Sequence, residues 1–145
     1  MKKKFSLLAI LTVLAFTGFA QKEKNTAAPA AAKAAFEKAF PGSTKIKWGK
    51  EKADYEVNFS LQGKEMSAVY DGKGILKETE EDIKIQALPA VTVDYIKQHY
   101  KGAAIKEAAK ITKPDGTINF EAEVNKKDLI FKADGTFIKE EKDED

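Results

Sequence analysis

The chain has 145 residues, a length suited to one domain. It carries 25 basic residues, all lysine, against 23 acids, with one histidine and no cysteine. This composition excludes disulfide staples and cysteine-ligated metal sites, and the missing guanidinium forks argue against a nucleic-acid partner.

The first segment reads as an address. Lys2, Lys3 and Lys4 precede the uncharged residues 5–19, and Gly18-Phe19-Ala20 offers small residues where a signal peptidase cuts. Residues 1–20 are therefore expected to be a secretory signal peptide cleaved after Ala20. The apolar run is shorter than the roughly 20 residues needed to span a bilayer. Cleavage leaves 125 residues with 22 lysines and 23 acids, a net charge of −1. No membrane span is expected after cleavage, and the expected location is periplasmic or secreted.

Residues 21–28 form a polar, alanine-rich flexible lead. A first helix follows, with Asn25 or Thr26 as cap and Pro29 in its first turn. Its apolar stripe is Ala32, Ala35, Phe36, Ala39 and Phe40, and Pro41-Gly42 ends it. Residues 44–50 read as a strand, with Ile46 and Trp48 on one face and Lys45 and Lys47 on the other. Tyr55, Val57, Phe59 and Leu61 alternate with Glu56, Asn58 and Ser60, marking a half-buried strand. Gln62-Gly63 turns the chain, and Met66, Ala68 and Tyr70 return on the inner face. Asp71-Gly72 is a tight-turn signal, and residues 75–80 make a fourth strand. The acidic run 78–82 and residues 83–86 read as a connection.

The plan then recurs. Leu88-Pro89 opens a second helix, with Val93, Ile96 and Tyr100 inward and Gly102 beyond its end. Strands are expected at 104–112, 118–124, 129–133 and 136–140, followed by an acidic, frayed tail. The stretch from Tyr55 to Gly72 repeats from Ile118 to Gly135 at an offset of 63 residues, and Pro29 matches Pro89 at an offset of 60. The difference falls at the Lys113-Pro114-Asp115-Gly116 turn, where insertions are tolerated. The expected fold is α+β. It has two tandem repeats, 29–82 and 83–145, each with one helix on a four-stranded antiparallel sheet and one open sheet face.

Catalytic and cofactor signals are weak. His99 falls on a helix surface, Ser60 and Ser67 lie inside strands, and no G-x-S-x-G elbow or phosphate loop is present. The Asp-Gly pairs lack calcium-loop spacing. No cofactor is expected. Glu121 and Glu123 share a strand face, which leaves room for paired-carboxylate chemistry or cation binding, although a solvated face is the default. Val69, Leu76, Ile130 and Ile138 alternate out of phase with the inner residues Ala68, Ile75, Leu129 and Phe137. They place apolar groups on the open face.

The helix from Leu88-Pro89 through Tyr95-Ile96 to Tyr100 and Gly102, then Phe120-Glu121-Ala122-Glu123-Val124 and Leu129-Ile130-Phe131-Lys132-Ala133-Asp134-Gly135, resembles the PepSY-like family. These are β-lactamase-inhibitor-like proteins exported by Bacteroidetes-type bacteria. Phe40-Pro41-Gly42, Tyr55-Glu56-Val57 and Asp71-Gly72 match in the first half, while Ala28 replaces the leucine before the proline. The resemblance implies a tandem helix-plus-sheet fold like that of the secreted β-lactamase inhibitor protein, periplasmic export and no enzymatic activity.

The expected function is a non-enzymatic binding module that binds or inhibits another cell-envelope protein or peptide through the open sheet face. Its expected contacts are Lys45, Lys47, Glu56, Asn58, Val69, Lys106, Asn119, Glu121, Glu123 and Ile130. The alternatives are a small hydrolase or cation-binding protein using the Glu121/Glu123 face, or a structural envelope protein.

Overall fold

The structure is a computed structural model describing residues 28–142. The expected signal peptide, the cap candidates Asn25 and Thr26, and the last three residues of the acidic tail lie outside the described residues. The element order is α1 (Ala30–Ala39), β1 (Thr44–Glu51), β2 (Asp54–Leu61), β3 (Lys64–Tyr70), β4 (Leu76–Asp82), α2 (Ala90–His99), β5 (Ile105–Thr112), β6 (Ile118–Val124), β7 (Lys127–Lys132) and β8 (Phe137–Lys142). A short 3-10 turn, Ile85–Ala87, leads into α2.

Each helix starts directly after a proline. Pro29 and Pro89 occupy the N-cap positions, where their fixed φ of −55° and −54° suits helix entry and no side-chain cap forms. Pro29 is thus one position earlier than the sequence places it. The preceding Ala28 and Leu88 are both buried, so the expected flexible lead stops short of Ala28. Phe40 and Tyr100 close the helices by donating their backbone N–H to Phe36 and Ile96.

The strands form one eight-stranded antiparallel sheet in simple chain order, not two four-stranded ones. The join is β4–β5, where Thr79 pairs with Thr112 and Asp82 with Ala109. Two separate sheets would leave these strands with unpaired backbone groups; pairing them satisfies both edges. The acidic run read as a connection is therefore the middle of the sheet. Likewise Glu141 and Lys142, read as part of a frayed tail, belong to β8.

Both helices cover the same face, each over its own core. Beneath α1, Phe36 meets Phe59 and Trp48 edge-on at 4.9 and 5.7 Å, with Val57, Ala68 and Tyr70 around them. Beneath α2, Ile96 packs with Leu88, Val124, Leu129 and Phe131, and Tyr95 stacks on Phe137 at 4.8 Å. Such aromatic pairs add about 1 kcal/mol beyond their burial.

One expected phase is reversed. Leu76 packs into the α1 core, whereas Ile75 is exposed. The cause is a bulge that pairs Tyr70 with Leu76 after Val69 has paired with Glu78. In the Asp71-Gly72 turn, the positive φ falls on Gly74. Asp71 Oδ1 accepts from the N–H of Lys73 and Ile75 at 2.8 and 2.9 Å, shaping that loop. The turns press Gly74 against α1 and Gly135 against α2; an added Cβ would lie 2.6 Å from the Ala31 carbonyl oxygen and 2.8 Å from the Val91 Cβ.

Candidate functional site

The face opposite the helices is concave. It encloses a cavity of about 630 Å³ whose walls draw on all eight strands, from Glu51 to Glu141. An exposed ion pair of 3.5 Å between Lys52, in the β1–β2 turn, and Glu141, on β8, links the two ends of the sheet. Strand alternation generates this face: because Val57, Phe59, Ala68 and Tyr70 point to α1, their neighbours Glu56, Asn58, Ser67 and Val69 point into the cup.

Register sets the floor in rows. Asn58 pairs with Ser67, Ser67 with Glu80, Glu80 with Ile111 and Ile111 with Asn119. In the next row Asp82 pairs with Ala109, Ala109 with Glu121 and Glu121 with Ile130. Eleven acids and five lysines line the cup. Some acids are neutralised on its walls: Glu78 by Lys113, and Glu141 by Lys139 at 3.0 Å. Glu65 accepts from Ser60 and from Lys45 at 3.0 Å, and these bonds lower its carboxyl below the usual range.

The floor differs. Burial, reinforced by the carboxylates of Glu121, Glu78, Glu56 and Glu51, pushes the Glu80 carboxyl up to about 8. Burial likewise raises Glu121 to about 7, with Asp128, Glu78, Glu141 and Glu51 adding to it. Asp82 is also raised, by burial and then by Glu65. Between Asn58 and Glu80, the Ser67 hydroxyl is buried without a hydrogen-bond partner.

The expected contact residues separate. Glu56, Asn58, Asn119, Glu121, Glu123 and Ile130 line the cup together. Val69 is on the same face but only 6% exposed, and Lys47 shares the face through its pairing with Asn58. Lys45 sits at a bulge on β1, tied to Glu65. Lys106 lies outside the cup, in a shallow depression with Ile83, Lys84 and Glu107, beside the irregular pairing between Ile105 and Ala108. Sequence reasoning missed Ser67, Glu80 and Ile111, which form the floor. His99 ends α2, its Nδ1 2.9 Å from the Tyr95 carbonyl and its ring stacked on Tyr95, away from the cup.

A PepSY-like, beta-lactamase-inhibitor-like family model matches residues 24–77 and 53–139, two overlapping stretches that together cover most of the chain. The chain belongs to the PepSY-like family. Solved structures agree on the fold. One, from Bacteroides eggerthii, carries a name that provisionally assigns it to the periplasm; it is 16% identical with a TM-score of 0.67, over 79% of this chain and 88% of that one. A BLIP-like protein from Bacteroides fragilis is 22% identical with a TM-score of 0.60, over 79% and 86% of the two chains. A DUF2874 family protein from Bacteroides uniformis is 19% identical with a TM-score of 0.66, over 79% and 89%. No curated protein matches the chain. Among the described residues of this PepSY-like protein, no helix is long and apolar enough to cross a membrane.

Proposed function

We propose that this PepSY-like protein is an exported, non-enzymatic binding module, a duplicated helix-plus-four-strand unit whose fused sheet receives a segment of another envelope protein or a peptide. The observation that carries the reading is the cup itself. Helices cover one face of the sheet, while the other encloses about 630 Å³ and gathers polar groups from every strand. Concave surfaces with a few convergent polar groups are the usual form of a binding site. Export through a cleaved signal fits the name of the Bacteroides eggerthii relative. Inhibition of an enzyme is one version of such binding, in keeping with the family's description.

The test is site-specific photo-crosslinking in cells of the source type. A photoreactive residue at Asn119, in the cup, forms a discrete adduct. The same residue at Lys97, on the exposed side of α2, forms none. Equal labelling from both positions, or none from Asn119, sinks the reading. The raised Glu121 carboxyl favours a second reading, general-acid chemistry on a ligand in the cup. A hydrolytic activity that Glu121→Gln abolishes supports that reading over the first.

A further inference from the structure

The two half-buried carboxyls of the floor share one local arrangement. Glu80 has Ile111 as its cross-strand partner, and Glu121 has Ile130. Each pair sets an aliphatic surface beside an acid, which suits a long side chain with an apolar stem and a cationic head. Among the described residues neither Glu80 nor Glu121 has an ion pair, whereas Glu78 and Glu141 on the walls do. Beside Glu80 the Ser67 hydroxyl, 6% exposed, has no partner and lines the same cavity. A buried, orphaned polar atom costs free energy until a ligand satisfies it. An N–H donor entering the cup would meet this oxygen and the Glu80 carboxylate together.

Glu80 and Glu121 lie two strands apart and two residues along the strand, a Cα separation of roughly 12 Å at the usual spacings. One basic side chain does not cover both. We propose that the cup floor holds two sockets for basic side chains, Glu80 with Ile111 and Glu121 with Ile130, and that its occupant is an extended polypeptide segment carrying two lysine or arginine residues. The inference rests on the reading of the cup as a binding face and names the chemistry of its partner. Charge complementarity supports it: eleven acids against five lysines line the cavity. Binding is coupled to proton release. The groups facing Glu80 are Glu51, Glu56, Glu78, Glu121 and the hydroxyl of Ser67; Asp128 and Glu141 face Glu121. Lys113 and Lys139 are held by Glu78 and Glu141. A cation from the partner therefore draws protons off both floor carboxyls, and affinity rises as pH increases from 6 to about 8.

Fluorescence anisotropy with the exported full chain tests this. The probes are labelled peptides of alternating lysine and alanine, of alternating serine and alanine, and free spermidine as competitor. The lysine peptide binds, about tenfold tighter at pH 8.5 than at pH 6. Glu80→Gln/Glu121→Gln weakens it at least tenfold at pH 8.5 and flattens the pH dependence. Ser67→Val weakens it severalfold without changing the fold by circular dichroism. A control pair on the helix surfaces, Glu37→Gln/Asp94→Asn, removes the same charge and changes affinity less than twofold. Equal loss in the control pair overturns the sockets, since general charge attraction then explains the binding. Equal affinity for the serine peptide, or tighter binding of spermidine, overturns the basic-segment partner. Neither result touches crosslinking from Asn119, so failure of the sockets and failure of the cup as a binding face read out separately.

Discussion

Glu80→Gln keeps the shape of the cup floor and removes its most perturbed acid. In the unfolded chain this carboxyl titrates near 4.5; in the fold it is held at about 8, chiefly by burial. A folded-state value raised above the unfolded one means that the native state holds the proton more tightly. The resulting stability is full below pH 4.5 and is lost as pH rises through 8. At ~1.4 kcal/mol for each tenfold change in proton affinity, raising pH from 5 to 9 costs the native state about 3 to 4 kcal/mol through this residue. The lower end allows for Glu121, which titrates against it. Glutamine does not ionise, so the variant escapes the cost. Urea unfolding followed by Trp48 fluorescence measures the difference, because this single tryptophan packs in the α1 core. The variant is more stable than the parent by about 3 kcal/mol at pH 9, or roughly 10 °C in Tm, and within about 1 kcal/mol of it at pH 5. A stability gap that stays the same from pH 5 to pH 9 refutes the assignment of Glu80 as a half-buried acid with a raised pKa.

The turn glycines give a graded set: Gly74→Ala and Gly135→Ala each destabilise by about 2 to 4 kcal/mol, because they combine a positive φ with a clash at 2.6 or 2.8 Å. Gly63→Ala, whose φ is also positive but whose Cβ meets nothing, costs about 1 kcal/mol in the same denaturation assay. Tyr70 is 1% exposed with its hydroxyl unpartnered, so Tyr70→Phe is neutral or stabilising by about 1 kcal/mol; a loss of stability in urea would reveal a partner for that oxygen. The Tyr100 hydroxyl donates to Glu140 at 2.5 Å, and this bond raises the phenol to about 12. In Glu140→Gln, ultraviolet titration finds a tyrosine moved down toward 10, and an unchanged spectrum at high pH would contradict the contact.

Much of the fold is legible in the chain because its signals are local. The Pro29 and Pro89 starts, the Phe36 and Ile96 stripes and the alternation of Tyr55 to Leu61 each depend on a few adjacent residues. The site was legible in part. Asn58, Asn119 and Glu121 were found because apolar neighbours on both sides reveal which face they occupy. Glu80 was not, since Glu78, Thr79, Glu80, Glu81 and Asp82 are polar at every position and carry no phase. A bulge defeated the reading at Leu76, where one extra residue reverses the side of the sheet.

Local patterning thus settles which residues are helical, which extended, and which strand face turns to the core, because burial demands a period that a short stretch can display. The joining of β4 to β5, and the curvature that brings acids of distant strands to one floor, depend on long-range pairing and sheet twist, which no short stretch encodes. Glu51 on β1 acts on Glu121 on β6 across that curvature. The raised carboxyls of the cup are a property of the curved eight-stranded sheet.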